Sequence, residues 1–148
     1  MDARDEIARR RADFVTAFNR EDLASLEQLC TDDIVMLPPN QPPISGIRDA
    51  LEWWSVGFQA GRTTVTIVPC ELYVSEGWAM DWFDWSVKIV PVTGTVPIVD
   101  SGSSFWVWRL RDRDGWRILR SMWKSSSDEP SLWAGGIGDF MLDGPRLM

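Results

Sequence analysis

From Asp2 to about Asn19 the apolar positions Ile7, Phe14, Val15 and Phe18 recur at helical spacing, and Arg9, Arg10 and Arg11 spread to the polar side. Asn19-Arg20-Glu21-Asp22 ends that helix. Asp22 is placed to cap a second, short helix that runs to Leu29, with Leu23, Leu26 and Leu29 on one side. "TDDIVMLPPNQPPISG" then predicts a short strand over 34–37 and a proline-rich turn. Gly46 precedes a third helix over 47–59, closed by Ala60-Gly61. Beyond it the pattern changes to strands. Residues 63–74 are rich in β-branched side chains, Glu76-Gly77 marks a turn, and 78–90 reads as a second long strand. A loop over 91–97, a strand over 98–111, an Asp-Gly turn over 112–115 and a last strand over 116–124 complete the order. Helices first and then a meander of long antiparallel strands predict an α+β domain, with the helices segregated on one face of the sheet.

The chain has 148 residues, enough for one domain with a sizeable core. Its boundary is expected at 1–127, with 128–148 as a C-terminal tail. The tail is glycine-rich yet carries Leu132, Trp133, Phe140, Met141 and Leu142, so it is expected to pack on the domain or on a partner subunit. Ten tryptophans are the unusual feature of the composition. Tryptophan suits pocket walls and interfaces, although plain core packing accounts for most such residues. The net charge is −7 and the basic residues are scattered, which argues against nucleic acid as a partner. No run approaches the ~18 apolar residues of a membrane-spanning helix. The charged opening "MDARDEIARRR" is unlike a secretion signal, and a cytoplasmic protein is expected.

There is no histidine. That excludes every mechanism with a histidine base, nucleophile partner or metal ligand, and leaves carboxylate, lysine, Tyr73 or cysteine for any catalysis. Cys30 and Cys70 form no metal or redox motif. Neither a metal nor a cofactor is expected.

Two stretches carry a family resemblance. "RADFVTAFNREDLASLEQLCTDDIVMLPPNQPPISGIRDAL" has a helix ending in Asn, an Asp-initiated short helix, an Asp-Asp pair before a strand, and a Gly leading the third helix. "DSGSSFWVWRLRDRDGWRILRSMWKSS" has a Gly starting one strand and Gly-Trp starting the next. Together they resemble the nuclear transport factor 2-like superfamily, in its SnoaL-like and ketosteroid-isomerase-like branches, over roughly residues 5–127. The resemblance implies a cone: a strongly curved, mixed or antiparallel sheet wrapped around three N-terminal helices, with a cavity at the open end. It also implies dimerisation through the outer sheet face. In ketosteroid isomerases an aspartate base moves a proton while a tyrosine and a protonated acid hold the oxyanion. Laid over this chain, the tyrosine position falls on Phe14, the base on Pro38, and the acid in "FWVW", which has no carboxylate. All three roles are vacant, so a typical ketosteroid isomerase is not implied. Histidine-dependent members of the scytalone-dehydratase type are excluded as well.

"WAMDWFDW", residues 78–85, poses the question of chemistry. Strand alternation puts Ala79, Asp81, Phe83 and Trp85 on one face and Trp78, Met80, Trp82, Asp84 and Ser86 on the other. Both faces are apolar, so both should be covered. The family's inward pattern, a small residue and then an acidic one two places on, turns Asp81 toward the cavity. A lone buried carboxylate takes up a proton, as a general acid or base must, unless a basic partner or an indole N–H satisfies it. Asp81 is therefore the catalytic candidate, with pairing as the alternative. The expected ligand-pocket residues are Phe14, Phe18, Trp54, Phe83, Trp85 and Trp123. Asp32-Asp33 reads as turn or capping chemistry. Three functions remain open. One is a domain binding a small hydrophobic molecule. Another is an isomerase, cyclase or dehydratase on a polyketide-like or terpenoid-like substrate, with Asp81 as acid–base. The third is a dimeric interaction module without a ligand. The two-sided strand, and Trp106 with Trp108 on one face of the next, predict a homodimer through the outer sheet face.

Overall fold

The computed structural model describes residues 2–94 and 96–126. Helix α1 (Ala3–Asn19) starts at Asp2, whose carboxylate accepts the Asp5 N–H. Helix α2 (Leu23–Leu29) starts at Asp22. The Ser25 hydroxyl and N–H both donate to that carboxylate and hold it below the usual carboxylate range. Strands β1 (Cys30–Leu37) and β2 (Ile44–Ser45) follow, then helix α3 (Ile47–Ala60). The chain ends in four long strands, β3 (Gly61–Ser75), β4 (Trp78–Pro91), β5 (Ile98–Arg111) and β6 (Gly115–Ser125). One six-stranded sheet has the order β2-β1-β6-β5-β4-β3. β1 lies parallel to β6 and every other pair is antiparallel. The fold is α+β: three helices on a curved, unclosed mixed sheet.

Gly46 leads α3 with φ of 91°, a conformation that L side chains rarely adopt, while its N–H bonds to the Ile34 carbonyl. Fully buried Ile7, Leu26, Ile34, Ile89, Trp108 and Ile118 join α1, α2 and the inner sheet face in one core. None of the helices among the described residues is long and apolar enough to cross a membrane.

Four expectations need correction. β1 begins at Cys30 rather than at 34, because polar Thr31, Asp32 and Asp33 interrupt the apolar pattern without ending the strand. Asp32 and Asp33 therefore cap nothing. They are exposed on that strand, and Asp33 pairs with Arg111 at 3.4 Å. Arg11 is not on the polar side of α1; it is 7% exposed. Trp106 and Trp108 face the core, at 4% and 0% exposure, not the outer surface. Large exposed side chains of the outer face include Tyr73, Trp78, Met80, Trp82, Phe105 and Met122. The tail over 128–148, with Trp133, Phe140, Met141 and Leu142, lies outside the described residues.

A bulge decides what β6 presents. Trp108 pairs with Ile118 but Val107 pairs with Arg120, which leaves Leu119 as the extra residue. The shift reverses the alternation. Trp116 and Ile118 point inward before the bulge, and Ser121 and Trp123 point inward after it.

Candidate functional site

Sheet register fixes the inner face in rows. Ser121, Trp106 and Asp81 stand side by side across β6, β5 and β4. The next row is Trp123, Ser104 and Phe83, and the one after it Ser125, Gly102 and Trp85. Ser121 and Ser104 are thus diagonal neighbours among the rings, and Gly102 precedes Ser104 on the same face of β5. Ser121 and Ser104 leave space between the sheet and the helices. The result is a cavity of about 100 Å³.

All six side chains expected in a pocket line this cavity. Phe14 and Phe18 come from α1, Trp54 from α3, Phe83 and Trp85 from β4, and Trp123 from β6. The adjacent Trp53 lines it too, packed edge-on against Trp123 with ring centroids 5.8 Å apart. Trp106, which faces Phe14 and Phe83 edge-on at 4.7 Å each, forms the back of the cavity. Cys30 also reaches it. Burial pushes the Cys30 thiol up to about 12, so it stays a protonated, unreactive wall residue at neutral pH. No lining residue among those described is Asp, Glu, Lys or Arg.

Gly102 packs against the Trp85 ring of the wall. A Cβ there would stand 1.9 Å from the Lys124 carbonyl oxygen and 2.7 Å from the Trp85 ring. Gly102→Ala is expected to push Trp85 out of place and to destabilise the domain by about 1–3 kcal/mol, the usual range for overpacking. Urea melts, with Trp85→Phe as a background that relieves the ring clash, check this.

Asp81 faces inward, and Asp84 faces outward, where the Ser103 hydroxyl donates to it at 2.8 Å. Asp81 is not part of the cavity wall. It is fully buried and held by three donors. Arg11 Nε reaches Oδ2 at 3.0 Å, Arg11 Nη2 reaches Oδ1 at 2.9 Å, and Trp108 Nε1 reaches Oδ2 at 3.1 Å. This bidentate fork satisfies the carboxylate in a dry environment and pins α1 to β4. Trp106 lies between Asp81 and Ser121 in the row, so the ion pair sits behind the cavity's back wall. The sequence carries a signal for the burial of Arg11. Ile7, Arg11, Phe14 and Phe18 are spaced four, three and four apart, one continuous helical stripe. Of the three vacant isomerase positions, Phe14 is in the wall, while Pro38 is buried at the end of β1 and does not line the cavity.

The fold has relatives. The model of the SnoaL-like domain matches residues 12–120. The chain belongs to the SnoaL-like domain family. Solved structures similar to this SnoaL-like protein share its fold at low identity. A nuclear transport factor 2-like superfamily protein from Salmonella enterica matches with a TM-score of 0.77 and 17% identity, over 85% of this chain and 92% of that one. A ketosteroid isomerase-like protein from Erwinia carotovora matches with a TM-score of 0.74 and 20% identity, over 82% and 94%. A hexachlorocyclohexane dehydrochlorinase of LinA type 3 from Novosphingobium barchaimii matches with a TM-score of 0.73 and 16% identity, over 84% and 86%. Their shape agrees with a cone for this SnoaL-like domain. No curated protein matches the sequence.

Proposed function

We propose that this SnoaL-like domain binds a small hydrophobic molecule in the aromatic cavity. The observation that carries the reading is the wall itself: rings from two helices and three strands around about 100 Å³, with no charged side chain among the described lining residues. Predominantly apolar walls with a few placed polar groups are the usual make-up of ligand sites. The volume is of the order of the ~150 Å³ apolar cavity that admits benzene. It falls below the roughly 300–1,000 Å³ of sites for drug-sized ligands. That weighs against a polyketide-like or terpenoid-like substrate.

Isomerase-like and dehydrochlorinase structures are among the fold's relatives, so the fold is compatible with catalysis. An acid–base role for Asp81 has the Arg11 fork and the intervening Trp106 against it.

The proposal includes a homodimer through the outer sheet face. Trp82, Phe105 and Met122 lie directly opposite one another across β4, β5 and β6, and Met80 adjoins them, each at least 38% exposed. A contiguous apolar ladder of this kind is the mark of an interaction surface. The free thiols of Cys30 and Cys70 fit the cytoplasmic setting expected from the sequence.

Native mass spectrometry of the freshly purified full chain tests ligand and assembly together. The expected spectrum is a dimer with additional mass, at most one small molecule per chain, lost on mild activation. A bare monomer at micromolar concentration removes the dimer and counts against a tightly held natural ligand.

A further inference from the structure

Ser121 is 7% exposed, lines the cavity, and its hydroxyl has no hydrogen-bond partner among the described residues. Buried hydroxyls are almost always hydrogen-bonded, and leaving one unpaired is unfavourable. The partner of Ser121, water or a bound molecule, comes from the cavity. Ser104, on the diagonal from Ser121, also lines the cavity, but its hydroxyl already donates to the Met122 carbonyl at 3.0 Å. Ser104 is left with acceptor capacity only, whereas Ser121 can both donate and accept.

Resting on the cavity-binding reading above, we infer that the site selects a neutral, single-ring molecule bearing one hydroxyl group. The ring lies among Phe14, Phe83, Trp85 and Trp106, and the hydroxyl meets Ser121 and Ser104. A hydroxyl both accepts from Ser121 and donates to Ser104. A carbonyl answers only the first. A carboxylate or an ammonium would lose its hydration against a wall with no counter-charge among the described residues, which is strongly unfavourable. The volume of about 100 Å³ limits the molecule to one ring.

Calorimetric titration of the full-length protein with toluene, phenol and benzoate tests this, on wild type and on Ser121→Ala. Phenol is expected to bind at least as tightly as toluene, although its hydroxyl must leave water. Benzoate is expected not to bind. Ser121→Ala is expected to weaken phenol about tenfold, one hydrogen bond's worth, and to leave toluene within about twofold. Toluene binding in the variant also shows that the cavity is intact. Wild type preferring toluene over phenol, with Ser121→Ala changing neither, overturns the hydroxyl selection and leaves the cavity reading standing. Benzoate binding at the cavity overturns the neutrality. Failure of both toluene and phenol to bind overturns the selection and the cavity reading together.

Discussion

Asp81→Asn is expected to lower stability by about 3–5 kcal/mol, the range for breaking a buried ion pair. For a chain of this size that is a fall in melting temperature on the order of 10 °C. The change leaves the Arg11 guanidinium, 7% exposed, facing a neutral amide. Arg11→Met does the same from the other side, leaving a buried carboxylate whose one remaining donor among the described residues is Trp108 Nε1. Replacing both residues by apolar ones removes both charges from the interior. Arg11→Met with Asp81→Leu is therefore expected to recover most of the loss, because a well-packed apolar pair often matches or exceeds a buried salt bridge. Thermal melts of the four proteins close a double-mutant cycle with a coupling of several kcal/mol. Single variants as stable as wild type would mean that water reaches the pair, and that Asp81 is freer for chemistry than its burial implies. The same double variant separates structure from catalysis. If it still takes up ring compounds, the ion pair holds α1 in register and takes no direct part in binding.

Trp106→Ala is the second large effect. The ring touches Phe14 and Phe83 at 4.7 Å and Trp108 at 5.6 Å, and it is 4% exposed. Its removal takes away the partner of three edge-to-face contacts and opens a void between the cavity and the Asp81 ion pair. Truncating a buried tryptophan costs about 3–5 kcal/mol. The midpoint of denaturant unfolding should fall accordingly with its slope unchanged. The enlarged space should also admit a two-ring compound such as 1-naphthol, which wild type should exclude. Equal naphthol binding by both proteins would place the ligand elsewhere than against Trp106.

The fold was legible because its signals are local and repeated. Strict alternation from Trp78 to Pro91 specified β4 and the facing of Asp81 and Asp84, and every second residue there is buried. Phe83 and Trp85 follow from the same alternation, and Phe14 and Phe18 from the helical stripe of α1. What the sequence hid are long-range pairings and exceptions to a period. Nothing local says that Leu119 is a bulge, yet that bulge brings Ser121 and Trp123 onto the face that Trp116 and Ile118 already occupy. Nor does "DDI" announce that β1 continues through two aspartates to pair with β6. Arg11 was hidden by its neighbours. In a run of three arginines, one belongs to the apolar stripe, and only a buried carboxylate 70 residues away explains why. The property that makes Asp81 a catalytic candidate also makes it a structural partner: a carboxylate on an apolar face must find donors, and the fold supplies three, from Arg11 and Trp108.

The central claim is that ring compounds enter the inner cavity rather than adhere to the apolar outer face. A crystal structure of the protein soaked with 4-bromophenol tests it most directly, because the bromine marks its own position by anomalous scattering. The account predicts one bromine peak per chain inside the cavity, beside Phe14, Trp85 and Trp106, with the phenol oxygen within hydrogen-bond distance of Ser121. A peak found only over Trp82 and Phe105 on the outer face, with the cavity unchanged, would contradict it.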